Sequence, residues 1–189
     1  MSLPDKPQVT LPSGLDAIEG IEAILQTLMV VLKEILPDKL DEIEAEWADI
    51  EALTLDDPDA SSYSVVNDED TYPDEDDSIP SVLIMGFQDL PDELYVDNPE
   101  IDMYVYECAI RVWLRGNIPA DMTRKVFRYG DAVKRTLKYV GDGTYDDDGN
   151  QHIVWTIRNI AGRYSSVSPV SPYYQAAQID FQVNVLREW

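Results

Sequence analysis

Between Tyr174 and Leu186 the chain reads YQAAQIDFQVNVL, and apolar and polar residues take turns. Ala177, Ile179, Phe181, Val183 and Val185 fall on one side of an extended backbone, and Gln178, Asp180, Gln182 and Asn184 on the other. That alternation predicts a half-buried antiparallel strand. Met103 to Arg115 predicts a second: Tyr104, Tyr106, Cys108, Ile110, Val112 and Leu114 form an apolar face, and Arg111 and Trp113 stand on a mixed one, near a partner or a helix end. Ile79 to Phe87 is a short apolar run after a proline, read as a strand buried on both faces or leading to one, and Gln88 to Glu100 as a connection. His152 to Tyr164 supplies a further strand, with Ile153, Trp155, Ile157 and Asn159 alternating against Val154, Thr156, Arg158 and Ile160.

Helical spacing appears in three places. From Leu15, the positions Ile18, Ile21, Leu25, Leu28, Leu32 and Ile35 recur at steps of three and four, with Ser13 as a candidate cap. Pro37 is expected to end that helix, because a proline pushes the preceding residue out of the helical region. A second, short helix then carries Leu40, Ile43, Trp47 and Ile50 on one face. A third begins at Pro119 and repeats Val126, Tyr129, Val133, Leu137 and Val140. The expected fold is α+β: an antiparallel or mixed β-sheet of about four main strands, with helices packed mainly on one face. Residues 1–14, with three prolines and a glycine, read as an extended N-terminal arm, and residues 15–189 as a single α+β domain.

Charge changes this picture in two segments. The chain has 37 acidic against 14 basic residues, a formal net charge of −23. Ten of the acids fall between Asp56 and Asp77, without a lysine or arginine, so an acidic loop insertion is expected at about 56–78. Six of the basic residues gather on the third helix: Arg124, Lys125, Arg128, Lys134, Arg135 and Lys138. That face suits either the acidic loop or an acidic neighbour. So negative a chain is ill matched to nucleic acid or to an anionic membrane, since both require phosphate neutralisation. The N-terminal residues carry no apolar signal core, so a cytoplasmically made, soluble protein is expected.

Residues for catalysis or metal binding do not assemble. Cys108 and His152 are the only cysteine and histidine, too few for a zinc site. Cys108 reads as a buried, inert thiol and His152 as a strand-edge residue. Asp146, Asp147 and Asp148 fail as a calcium loop, because Gln151 stands where glycine is required and Ile157 where the bidentate glutamate is required. Asp148-Gly149 reads as a tight reversal. The reading is a non-enzymatic protein without cofactor.

Four stretches carry a resemblance: the N-terminal helix running into LPDKL, the IPSVLIMGF strand, the FRYGDAVKRTLKYV helix, and the closing strand YYQAAQIDFQVNVLREW. Together they resemble the tail terminator proteins of long-tailed bacteriophages over most of residues 15–189. The resemblance implies a structural virion protein, made in the host cytoplasm and located in the tail or neck. Its implied state is a hexameric ring that caps the tail tube and meets the head connector, or the sheath where the tail contracts, with DNA only passing through. A tail-completion or head-closure neck protein is the nearest alternative, and an acidic DNA-mimic inhibitor a more distant one. The expected subunit or tube contacts are Arg111, Trp113, Gln178 and Gln182 on the strands, and Arg124, Arg128 and Arg135 on the basic helix. The scarcity of charge on the polar side of the last strand supports that expectation.

Overall fold

Two sixteen-residue strands form the spine of the molecule, Ile101–Gly116 and Tyr173–Glu188. They pair antiparallel without a break, from Ile101 opposite Glu188 to Gly116 opposite Tyr173. The computed structural model describes residues 21–66, 79–91, 101–140, 142–146, 152–169 and 172–188, with backbone alone at 88–91, 101–103, 142–146, 152–155 and 186–188. In chain order the elements are α1 (Ile21–Trp47), β1 (Tyr63–Val66), β2 (Ser81–Pro91), β3 (Ile101–Gly116), α2 (Pro119–Val140), β4 (Asp142–Asp146), β5 (His152–Tyr164) and β6 (Tyr173–Glu188). The six strands make one mixed sheet in the order β1-β2-β3-β6-β5-β4. Only the β1–β2 pair is parallel.

Both helices lie on one face of this sheet, as the sequence predicts. The apolar sides of β3 and β6 meet them through Tyr106, Cys108, Ile110, Val112, Ala177, Ile179, Phe181 and Val183. From α1 come Leu25, Leu28, Leu32, Leu36, Leu40 and Ile43, and from α2 Val126, Tyr129, Val133 and Leu137. At Gly86 the sheet lets α1 come close, since a Cβ there would stand 2.8 Å from Ile21 Cγ1 and 3.2 Å from Leu25 Cδ1.

Four expectations are corrected. Pro37 lies inside α1, so the two expected N-terminal helices are one. An interior proline costs about 3 kcal/mol, but Leu40 and Ile43 beyond it are buried, at roughly 1.5–3 kcal/mol each. Within the acidic stretch, a short 3-10 turn at Ala60–Ser62 leads into β1, where Tyr63 and Val65 face the core. The expected connection from Gln88 is still strand as far as Pro91. β4 occupies part of the expected turn and pairs with the start of β5, so His152 opens a paired strand.

β5 departs from strict alternation. Asn159 has φ 55°, and four residues of β5, Arg158 to Ala161, lie opposite three of β6, Gln182 to Asp180. The bulge reverses the facing of the residues C-terminal to it. Ile157 is buried, and Ile160 packs against the same core although the two differ in parity. The expected arm 1–14, Ser13, the helix start at 15–20, the rest of the acidic segment at 67–78, and Asp147 to Gly149 lie outside the described residues.

Candidate functional site

The sheet face turned away from the helices carries a chain of side-chain hydrogen bonds along β3, β6 and β5. Arg111 donates from Nε and Nη2 to Gln178 Oε1, at 2.8 and 2.6 Å, and its guanidinium stands 6.0 Å from the Trp113 ring. Gln178 donates in turn to Asp180 at 2.9 Å, and Arg163 clasps both oxygens of Asp180 at 2.7 and 2.8 Å. Burial opposes the charge on Asp180, but the hydrogen bonds from Arg163 and Gln178 outweigh it and hold the carboxyl below its ordinary range. Asn159, displaced by the bulge, donates to Gln182 at 2.6 Å, and Gln182 reaches Glu107 at 3.5 Å.

These residues border an open groove of about 400 Å³, walled by Glu107, Asn159, Arg163, Asp180 and Gln182, with Phe87 at its rim. Cys108 touches its floor, but burial and then Glu107 push the thiol up to about 12, so it is protonated at neutral pH. The walls offer hydrogen-bonding groups already committed to one another, an arrangement that presents a fixed polar relief. Beside the groove, Leu83, Trp113 and Ala176 form a small apolar cluster with Val66 and Tyr174 packed on it.

The basic helix is a second, separate place. Arg135 binds Glu46 through two parallel hydrogen bonds, 2.6 and 2.8 Å, and Asp131 at 2.9 Å. Arg124 pairs with Glu51 at 2.8 Å, and Lys125 with Asp56 at 3.4 Å. Arg128 is buried, donates to the Glu51 carbonyl at 2.9 Å and lies 5.1 Å from the Trp47 ring. Tyr129 donates to the Asp56 carbonyl, and the Leu55 amide to Glu44. The acidic neighbours of this helix are therefore the end of α1 and the start of the chain's own acidic segment.

The seven expected contact residues thus divide. Arg111, Trp113, Gln178 and Gln182 share the outer sheet face; Arg124, Arg128 and Arg135 lie on α2, in the layer packed against the opposite face. Trp113 and Gln178 are largely buried. Sequence reasoning did not pick out Glu107, Asn159, Arg163 or Asp180 as members of the outer network. The available signal was Asp180 itself, the one acid among the polar positions Gln178, Asp180, Gln182 and Asn184, which calls for a cation across the strand pair.

Among the described residues there is no group of three or more His, Cys, Asp or Glu side chains placed to hold a metal ion, and no helix long and apolar enough to cross a membrane. No protein-family model matches this chain, and comparison with curated proteins gives no match.

Proposed function

We propose that this chain is a structural assembly protein, a tail terminator that forms a ring, caps a phage tail tube and joins it to the head connector. The observation that carries the reading is the outer sheet face. The sixteen-residue β3–β6 pair makes a stiff platform, and its polar side chains are locked by Arg111–Gln178–Asp180–Arg163 and Asn159–Gln182. A surface that docks by shape gains from such locking, because less side-chain freedom is lost on contact. The resemblance of the helix-strand layout to tail terminators supplies the rest.

The arginines of α2 take a different part in this reading. Arg124, Arg128 and Arg135 tie α2 to Glu51 and Glu46 of the same chain, so reversing their charge disturbs folding before assembly. The partner contact belongs to the outer face. Internal pairing of Glu46, Glu51, Asp56 and Asp180 also draws acids away from a DNA-like array, which favours the ring over a DNA mimic.

The test is direct. Tail tubes incubated with the chain and imaged in negative stain should carry a ring at one end only. A Gln182→Lys variant, which keeps the fold, should lose that density. Uncapped tubes with the wild-type chain would refute the assignment, and a ring on the side of the head connector alone would favour the head-closure alternative.

A further inference from the structure

Among the described residues, each edge of the sheet is only half covered. β1 pairs with Val82–Met85 of β2, and Gly86–Pro91 have no strand beside them on that side among the described residues. β4 pairs with His152–Thr156 of β5 and leaves the segment Ile157–Tyr164 in the same position. Half-covered edges are templates for another strand.

The two steps are complementary. Val82 stands level, through Val112 and Ala177, with Tyr164; Met85 stands level, through Ala109 and Asp180, with Ala161. β1 therefore lies at the height of Ala161–Tyr164, the part of β5 that β4 does not reach. Leu90 is level, through Val105 and Asn184, with Thr156, whose β4 partner is Asp142. β4 thus begins at the height of Leu90 and continues beyond Pro91, above the height of β1. Counting pair orientations across the sheet, β1 and β4 run in the same direction, and both run opposite to β5.

We infer that neighbouring copies of this chain join through one continuous sheet: β1 of one copy lies antiparallel to Ala161–Tyr164 of the next, end to end with that copy's β4 in a single strand position. The inference rests on the ring-forming reading above and names its subunit joint. At these heights Val66 meets Ala161 and Ser64 meets Arg163 on the outer face, while Val65 meets Gly162 on the helix side, so bulk falls against small residues. The joint also covers the exposed edge-to-face pair of Phe127 and Tyr164, whose ring centres are 4.8 Å apart.

Charge favours a second copy as the occupant. Beside the half-covered segment stands Lys134, its Nζ 3.2 Å from the hydroxyl of Tyr164, the residue level with Tyr63 at the start of β1. The approach to β1 brings the exposed Asp57 and Asp59. Desolvation, then Asp41, Glu44, Asp38 and Asp56, hold the Asp57 carboxyl above its ordinary value, so the neighbouring copy's lysine relieves that repulsion. The contact is head-to-tail, and such a contact repeats until its rotation closes a ring.

Disulfide trapping tests the joint. Val66→Cys and Ala161→Cys are prepared as separate proteins and mixed under mild oxidation; Ser64→Cys with Arg163→Cys is a second pair on the same face. Within one copy β1 and β5 are four strand spacings apart, about 19 Å, beyond the roughly 7 Å that a disulfide spans between Cα atoms. Each mixture should give a reducible dimer that neither variant gives alone, and the double variant should give a ladder ending at the ring mass. Rings seen by native mass spectrometry without either disulfide would overturn this joint and leave the ring reading standing. Absence of any assembly, alone or with tubes, would overturn both.

Discussion

Arg135 of α2 grips the Glu46 carboxylate at the end of α1 with two parallel hydrogen bonds, 2.6 and 2.8 Å long. The hydrogen bond from Arg135 outweighs desolvation and, with a lesser contribution from the guanidinium charge, holds the Glu46 carboxyl below its ordinary value. A depressed carboxyl contributes stability above its unfolded pKa, about 4.3, and that contribution is lost as pH falls through the lower folded value. Glu46→Gln should therefore be less stable than wild type at neutral pH, and the gap should close below about pH 4. Urea midpoints for both proteins across pH 3–7 check this; a gap that persists at the acid end would remove the ion pair from the account.

Arg128 carries a buried charge that meets the Glu51 backbone carbonyl, the Glu51 carboxylate at 3.8 Å and the Trp47 indole face. Arg128→Met keeps the stem and loses the charged hydrogen bond, so a loss of about 2 kcal/mol is expected. Arg128→Glu should cost more, because a carboxylate would then be buried beside Glu51. Thermal melts give the order wild type, Met variant, Glu variant; a Glu variant as stable as wild type would contradict the tie.

Asn159 holds a left-handed backbone conformation, φ 55°, which costs a β-branched residue most. Asn159→Gly should change stability little, and Asn159→Val should lower it by about 1–2 kcal/mol. If denaturant melts rank them the other way, the bulge is set by something other than this residue.

Much of the fold was legible because burial writes itself into spacing. The alternation in β6 and β3 and the steps of three and four in α1 and α2 reappear as the core. The failures share a cause: local chemistry was outweighed by contacts that spacing does not encode. Pro37 is carried through by the buried turn beyond it. Tyr63 and Val65 hide a strand in an acidic run because only their pairing with Val82 and Ile84 orders it. The bulge at Asn159 depends on one backbone angle. At the site, Arg111, Trp113, Gln178 and Gln182 were correctly grouped by strand parity. The arginines of α2 were not separable from them in sequence, since only the fold decides that Glu46 and Glu51 are their partners.

Cys108 has its thiol pushed up to about 12 by burial. It should resist a water-soluble disulfide reagent in the native state and react with one equivalent after unfolding in urea. Rapid labelling of the native protein would contradict its place in the core.

Six copies would carry six times −23, or −138, so salt should favour the ring by screening. At 0.15 M ionic strength charges more than about 8 Å apart are largely screened. Light scattering from 10 mM to 500 mM salt should show assembly rising with ionic strength; assembly indifferent to salt would argue that the net charge of the copies does not oppose the ring.

The central claim is that this chain forms a ring, and the mass and symmetry of the purified protein, with and without tail tubes, test it most directly. Six chains of 21.4 kDa predict one closed species of about 128 kDa by native mass spectrometry, six times the chain mass, with sixfold views in negative stain. A 21.4 kDa monomer that neither closes into rings nor joins tubes would contradict it.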